Sequence, residues 1–417
     1  MENVQWFVGI DWGPRAHDVC IVDATGRVCE QRQVEHTATA LAAFVDAVIA
    51  RAEGQPERVA VALEVPRGAL VELMIERGLA VWAINPKQLD RFRDRFTAAG
   101  AKDDRRDAWV LADSVRTDRQ AFRRVRLDQP LIIALREWSR MDEDLRGEYG
   151  QLTNRLRDLV HRIAPELLTL CPAADEAWFW ALWRTADTPA AQARLSERRL
   201  TQLLAAHRIR RLTAAEVREV LQRPQVYTAP GVVEAVAGHC QLVLRRLELV
   251  WTQRRECERQ MARLLDTLEA QAPAAGDQRE HRDAAIVRSM PGVGTRVAAA
   301  VLAEASQPLA DRAYHTARAW FGVAPVTRQS GRRRTVVMRY ACNQRLRDAA
   351  YHWARGAMCW DPRSRAYYRA LRARGLTHGR AFRTVVDRML RVLFTLLEDG
   401  QLFNPHYGHD TSLPVGG

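Results

Sequence analysis

Lysine is nearly missing from this chain: among 63 basic residues only Lys87 and Lys102 are not arginine. Arginine's planar fork pairs with a phosphate in bidentate fashion, which an ammonium cannot do, although a GC-rich genome also raises arginine use. Cysteine pairing is missing too. Cys20, Cys29, Cys171, Cys240, Cys257, Cys342 and Cys359 are odd in number and scattered, with no Cys-x-x-Cys. That argues against a disulfide framework and against a structural zinc site. Reduced, mostly buried thiols are expected, with His239 and Cys240 no more than helix neighbours. No apolar run approaches the roughly 20 residues that cross a bilayer. The opening stretch, MENVQWFVGIDWG, lacks the basic segment, apolar segment and cleavage site of a signal peptide. A cytosolic chain with no membrane partner is the expectation.

What is present is positive charge. The net charge is +13 over 417 residues and the pI is near 10.0, which points to a polyanionic partner. The charge is local. Residues 331–391 hold 16 arginines against Asp348, Asp361 and Asp387, an excess equal to that of the whole chain. The C-terminal region is therefore the expected main nucleic-acid surface.

The length suits two or three domains, and patterning divides the chain into 1–125, 126–272 and 273–417. In the first part an apolar, aromatic strand is expected over 4–12, then a hairpin of 17–23 and 27–34 around Ala24-Thr25-Gly26. A helix over 40–52, a buried strand over 59–65 stopped by Pro66, and a helix over 68–77 follow. A strand over 79–84 ends at Asn85-Pro86, with helices after it. The order βββαβαβα is that of an RNase H-like α/β fold. The unbroken apolar stretch VAVALEV suits a central strand covered on both faces.

The middle part is helical. Leu135, Trp138, Asp142, Leu145, Tyr149, Leu152, Leu156, Leu159 and Ile163 recur at steps of three and four. Val243, Leu247, Val250, Arg254, Cys257, Met261, Leu264 and Leu268 do the same. Each row sustains about four heptads with one polar interruption, as a coiled-coil or long-hairpin seam does. Pairing within one chain and pairing between chains are both open. The stretch 165–235 between them is helical and rich in tryptophan (Trp178, Trp180, Trp183), without a clear place.

After the linker APAAGDQ (272–278), the third part is mainly helical. IVRSMPGVGTRVAAAVLAEA (286–305) reads as helix, Pro-Gly-Val-Gly, helix, the helix-hairpin-helix pattern. Gly292 and Gly294 permit a tight turn, and amides at the second helix's N-terminus can face a phosphate. A tight turn inside a core is the equal alternative.

The acids are more telling. Asp11 sits in the first strand, in FVGIDWG, and Glu64 ends the buried strand, in VALEVP. A carboxylate on so apolar a strand is costly unless it has a partner or a metal; the plain alternative is an acid emerging at the strand's edge. Two such carboxylates on neighbouring strands, with helix-borne acids nearby, make an oxygen-rich site for Mg2+. Two metal ions about 4 Å apart can activate a nucleophile and stabilise the leaving oxygen in phosphoryl transfer. The helix acids lie in GAKDDRRDAWVLAD (100–113). Asp104 and Asp107 are i,i+3 and face one side, Asp103 points elsewhere, and Asp113 reads as a surface charge. Singly, each of these acids reads as solvated; the fourfold combination points to a metal.

These stretches together resemble a known family. GIDWGPRAHDVCIVD, ALEVPRGALVELMIERGLAVWAINPKQLDRFR and GAKDDRRDAWVLAD are similar to the RuvC-like DEDD domain of insertion-sequence transposases of the one-ten type, and of the related Piv-like DNA invertases. MPGVGTRVAAAVLAE, AWFGVAPVTRQSGRRRT and NQRLRDAAYHWA are similar to their C-terminal transposase domain. Nearly the whole chain follows that plan in family order, the middle least diagnostically. The resemblance implies Asp11, Glu64, Asp104 and Asp107 as catalytic ligands of Mg2+, with Mn2+ as its substitute, and Lys102 as the lysine of Lys-x-Asp-x-x-Asp-Ala. It implies that Ser330, in Gln329-Ser330-Gly331, attacks a DNA phosphodiester and forms a transient phosphoserine. In such enzymes the metal site and the serine build one composite active site across subunits. The resemblance also implies a structured bridge RNA that pairs with donor and target DNA, a homo-oligomer (dimer or tetramer), and the cytoplasm of a bacterium. For an enzyme handling two DNA segments, the heptad seams are expected to pair chains. Two positions depart from the family: Asp103 stands where Ser or Thr is usual, and Cys342 where Gly usually precedes Asn343.

By local chemistry alone Ser330 is less distinctive than the acids. A serine hydroxyl needs a base or a metal to activate it. Gly331 permits close backbone approach, and Arg328, Arg332, Arg333 and Arg334 offset phosphate charge as it develops. A basic turn that merely holds backbone is the alternative, and Tyr340 is a rival nucleophile. Three functions follow: an RNA-guided, Mg2+-dependent DNA recombinase; a RuvC-like nuclease or Holliday-junction resolvase using metal-activated water; and a non-catalytic nucleic-acid-binding protein. The lack of a zinc-finger, homeodomain or RRM signature fits delegation of sequence choice to base pairing.

Overall fold

The computed structural model describes residues 4–95, 103–271, 282–331 and 333–405. Lys102, Arg332 and the linker 272–278 lie outside the described residues. The chain divides into two units, residues 1–128 and 129–417.

The first unit is built on a six-stranded mixed sheet. β1 (Trp6–Asp11), β2 (Ala16–Asp23) and β3 (Val28–Glu35) form an antiparallel meander. α1 (Ala38–Arg51) leads into β4 (Val59–Leu63), and α2 (Ala69–Glu76) into β5 (Ala80–Ala83). α3 (Pro86–Asp94) and α4 (Asp104–Asp118) precede the short β6 (Arg123–Val125). The order across the sheet is β3-β2-β1-β4-β5-β6, with β1, β4 and β5 parallel and β6 antiparallel at the edge. That arrangement is consistent with an RNase H-like fold. β6 has no counterpart in the apolar pattern, because Arg123-Arg124-Val125 buries little.

All five residues of β4 are buried. The strand lies between two parallel neighbours with helices over both faces, the position its unbroken apolar run suits. Alternation along β1 sends Val8 and Ile10 into the core with α1 and α2, and Phe7 into the core with α3 and α4. Gly9 and Asp11 therefore share the face under α4. At Gly9 a Cβ would lie 1.9 Å from the Ala108 carbonyl oxygen, so α4 rests backbone-close on β1 only because no side chain is there.

Among the described residues, the second unit is helical apart from one hairpin. α5 (Pro130–Ile163) is followed by four short helices, α6 (Ala177–Thr185), α7 (Pro189–Ala193), α8 (Glu197–Ala206) and α9 (Ala214–Leu221), and then by α10 (Val232–Ala270). Arg254 bonds Asp142, Arg246 bonds Glu148 and Arg155 bonds His239, so α5 and α10 run antiparallel. The two heptad rows are buried in shared clusters within one chain, Leu152, Leu156 and Ile163 with Val243, Leu247 and Val250. This corrects the expectation that the seams pair chains: each seam already has its partner, since a long α-hairpin needs the same periodicity as an intermolecular coil. The polar interruptions meet as well. Arg254 Nε lies 3.1 Å from Asp142 Oδ1, and Arg296 Nε lies 3.0 Å from Oδ2.

At one end of this long hairpin Trp178, Trp180 and Trp183 are at most 2% exposed and form the core with α6, α8 and α9. At the other end pack α11 (Asp283–Ser289), α12 (Thr295–Glu304), α13 (Ser306–Ala310), α14 (Tyr314–Trp320), α15 (Gln344–Trp360), α16 (Pro362–Ala373) and α17 (His378–Asp399). Between α14 and α15 stands a two-stranded hairpin, β7 (Val326–Ser330) and β8 (Arg333–Val337). None of the cysteines is in a disulfide; four are buried, and Cys29 and Cys359 are exposed. Among the described residues no helix is long and apolar enough to cross a membrane.

Candidate active site

β1 and β4 end side by side, with Ile10 opposite Leu63 as their last register pair. Asp11 and Glu64 are the next residues, so two adjacent parallel strands bring one acid each to the same edge. Glu64 lies half-buried in the bend after β4 rather than inside the strand. α4 crosses this edge, held close by Gly9, and its first turn carries Asp104 and Asp107. One carboxylate oxygen each of Asp11, Asp104 and Asp107 lie within 4.8 Å of one another. Glu64 is not part of that tight group. Exposure falls from Asp104 at the surface, through Asp11, to buried Asp107, so the cluster is open on one side. Three clustered carboxylate oxygens are the hard donors that Mg2+ takes, and the residues present fit such an ion.

Asp103 is accounted for without the metal. It is the N-cap of α4, its side chain accepting from the Arg105 amide at 3.4 Å, and it stands outside the acidic group. Ser or Thr caps a helix in the same way, so the departure from the family pattern preserves the local function. Asp113 does not match its reading as a surface charge. It is 7% exposed and takes Arg116 Nε and Nη2 at 2.9 and 2.6 Å, because α4 turns that face towards β2.

Two residues of the site were not singled out by sequence. Arg93 Nε and Nη2 each lie 2.6 Å from an oxygen of Asp107, while its Nη1 reaches Asp90. Burial opposes the Arg93 charge, but the hydrogen bonds and charge of Asp107, with Asp90 and Glu64, hold its pKa above the ordinary value. Nothing in PKQLDRFRD distinguishes Arg93 from Arg91. Asp18 is the register partner of Asp11, 7% exposed, with both oxygens near the Gln33 amide at 3.2 and 3.3 Å. Here a signal existed: in AHDVCIVD, Asp18 alternates with Cys20 and Val22, which face α4.

Next to Asp18 in β2, the fully buried His17 accepts from the Gly13 amide at 3.3 Å through Nδ1, and its Nε2 lies 2.8 Å from His36 Nδ1. Burial, then the neighbouring His36, hold its pKa below the ordinary histidine value.

Ser330 lies in the other unit, at the end of β7. The register opposes Ser330 to Arg333, Gln329 to Arg334 and Arg328 to Thr335. Arg328 and Arg333 therefore share the face of Ser330, while Arg334 falls on the opposite face. Gly331 turns the hairpin with φ +55, a left-handed conformation suited to glycine. Ser330 is exposed, and among the described residues its hydroxyl has no hydrogen-bond partner.

The glycine turn before α12 is divided in its roles. Gly292 has φ +80, and a Cβ there would lie 2.1 Å from the Ala357 amide nitrogen, against α15. Trp353 Nε1 donates to the Pro291 carbonyl at 3.1 Å, so this side of the turn is packed. Gly294 is exposed with open space around it, at the N-cap of α12. Cys342 fits where the family usually has glycine. Gly322 leaves room for its sulfur, since a Cβ at Gly322 would lie 3.0 Å from it.

Known proteins resemble this chain along both units. Residues 8–165 match the transposase profile DEDD_Tnp_IS110, and residues 284–369 match the profile described as transposase IS116/IS110/IS902 family. The protein y4uE of Sinorhizobium fredii, whose name is that of a transposase, is 46% identical over 211 residues, 50% of this chain and 58% of that protein. The 43.6 kDa protein of insertion element IS110 from Streptomyces coelicolor is 30% identical over 436 residues, covering 100% of this chain and 98% of its own. A second Streptomyces coelicolor protein, whose name ties it to transposition of the mini-circle IS117, is 31% identical over 418 residues, covering 97% and 96%. Similarity of that extent, along both units and in the same order as the acidic and serine motifs, shows that the chain belongs to the IS110 family of insertion-sequence transposases, enzymes that break and rejoin DNA.

Proposed function

We propose that the chain is a Mg2+-dependent DNA recombinase with an RNase H-like (RuvC-like) acidic site and a serine nucleophile, guided by a structured bridge RNA. The observation that carries this reading is the convergence of Asp11, Asp104 and Asp107 within 4.8 Å at the end of adjacent strands. These three, with Glu64, would hold the metal, which when bound supplies Lewis acidity towards a phosphodiester. Ser330 Oγ attacks phosphorus, its proton leaves, and the displaced deoxyribose hydroxyl departs, leaving a phosphoserine that a second DNA end resolves. Arg328 and Arg333, on the same face of the hairpin, offset the charge that grows on the phosphate oxygens. We place Lys102, Arg332, Arg334 and Gly294 in nucleic-acid binding rather than in the reaction, with Gly292 shaping the turn against α15. The three-part division 1–125, 126–272 and 273–417 and a dimeric or tetrameric assembly belong to the same reading, supported by the family resemblance.

A second reading is favoured by the Ser330 hydroxyl, which has no hydrogen-bonded base among the described residues: hydrolysis by metal-activated water, with Ser330 structural. Trapping of covalent protein–DNA adducts separates the two. An adduct lost in Ser330→Ala supports the recombinase, whereas cleavage that survives that substitution removes the serine from the reaction. Asp11→Ala and Asp104→Ala are each expected to abolish strand exchange while RNA binding persists; full recombination by either refutes the metal site.

A further inference from the structure

At the foot of the β7–β8 hairpin lies a cleft whose charge the fold does not explain. Its volume is about 270 Å3, between the end of β8, the loop after α14 and the start of α17. Arg318, Arg339, Arg380 and Arg383 line it, and Asp387 is its one acid. Asp387 is already engaged. Its two oxygens take Arg318 at 2.5 and 2.7 Å, and the Tyr314 hydroxyl donates to it at 3.1 Å. Arg339 donates Nε to the Ala324 carbonyl, and Arg383 donates Nη1 to the Met338 sulfur at 3.1 Å, a weak acceptor. Among the described residues, Arg339, Arg380 and Arg383 have no carboxylate partner.

Two costs follow. Arg339 and Arg383 are half-buried without a counter-ion, so each gives up hydration for one hydrogen bond to a neutral acceptor. Arg380 and Arg383 also stand in the first two turns of α17, whose first turn holds no acid. A helix N-terminus carries partial positive charge, so cations are unfavourable there and anions favourable. An anion in the cleft removes both costs.

We propose that this cleft binds one backbone phosphodiester of a polynucleotide strand. Its volume is just below the roughly 300–1,000 Å3 of small-molecule sites, which suits a phosphodiester with part of its sugar rather than a whole cofactor. Converging guanidinium forks match phosphate oxygens, and Val336, 58% exposed, offers the sugar an apolar wall. From Val326 at the foot of β7 to Ser330 is four strand steps, about 13 Å at about 3.3 Å per residue. The cleft thus lies about 13 Å from the hairpin end, with Arg328 and Arg333 on the strands between the two.

This proposal rests on the chain being a nucleic-acid enzyme, and not on Ser330 being its nucleophile. The test is fluorescence anisotropy of the full chain with a short labelled single-stranded DNA and with RNA of the same sequence, across a salt series. Arg339→Gln and Arg383→Gln are each expected to weaken binding whatever the sequence, and to flatten the slope of log K against log salt by about 0.7. Arg383→Lys retains the slope, which separates lost charge from misfolding. Flattening with DNA alone assigns the cleft to a DNA strand, with RNA alone to an RNA strand, and with both to the shared backbone. Unchanged slopes in both glutamine variants, with wild-type binding intact, overturn the cleft and leave the proposed function standing. Wild-type binding to neither probe overturns that reading and the cleft with it.

Discussion

Arg93 clasps Asp107 at the inner side of the acidic cluster, its Nε and Nη2 each 2.6 Å from one carboxylate oxygen. Asp107 is 1% exposed, so its charge needs a counter-ion. Arg93 supplies one, and a metal bound by the same carboxylate would supply another. Arg93→Ala is therefore expected to cost about 3 kcal/mol in EDTA, with much of the loss recovered on adding Mg2+. Thermal melts of both proteins in the two buffers check this. An equal loss with and without Mg2+ would show that arginine and metal do not share Asp107.

Asp142 and Arg254 make a second pair with a measurable consequence. Asp142 is 5% exposed and receives both Arg254 and Arg296. Asp142→Ala leaves the half-buried Arg254 without its partner, at an expected cost of about 3 kcal/mol. Replacing the pair with Leu at both 142 and 254 extends the apolar seam, and is expected to be neutral or stabilising. Urea unfolding of the single and double variants measures both. A single variant as stable as wild type would mean that the pair contributes no net stability and serves only the register of the hairpin.

The His17–His36 contact predicts a stability loss in acid. Because burial holds His17 below its ordinary value of 6.5, the unfolded chain takes up a proton that the folded chain refuses. The His17 contribution is complete above about pH 6.5 and declines as pH falls through and below that value. His17→Asn keeps an acceptor for the Gly13 amide without the titration, so its melting temperature should fall less between about pH 7.5 and about pH 5.5. Parallel acid slopes in the two proteins would remove His17 as the source.

Much of the site was legible because its signals are local. An acid ending an apolar strand is visible in FVGIDWG and VALEVP, and the i,i+3 spacing of Asp104 and Asp107 requires only that GAKDDRRDAWVLAD be helical. Asp103 resisted the same treatment, since an acid just before a helix reads alike as a ligand or as a cap until its acceptor role is seen. The heptad rows were equally clear in the sequence, but their partner was not. Periodicity states that a helix has an apolar stripe, and does not state whether its own chain or another covers that stripe.

The first five strands and the helices of the first unit, the long helical seams, the concentration of arginine at the C-terminal end and the candidate acids were determined by the sequence alone, because composition and periods of two and 3.6 residues are properties of neighbours in the chain. The tertiary structure decided which of those acids meet, that Arg93 and not a remote surface charge answers Asp107, and that Arg328 and Arg333 share the face of Ser330 while Arg334 does not. Those outcomes depend on how closely α4 can press on β1 at Gly9 and on the register between β7 and β8, and a local pattern encodes neither.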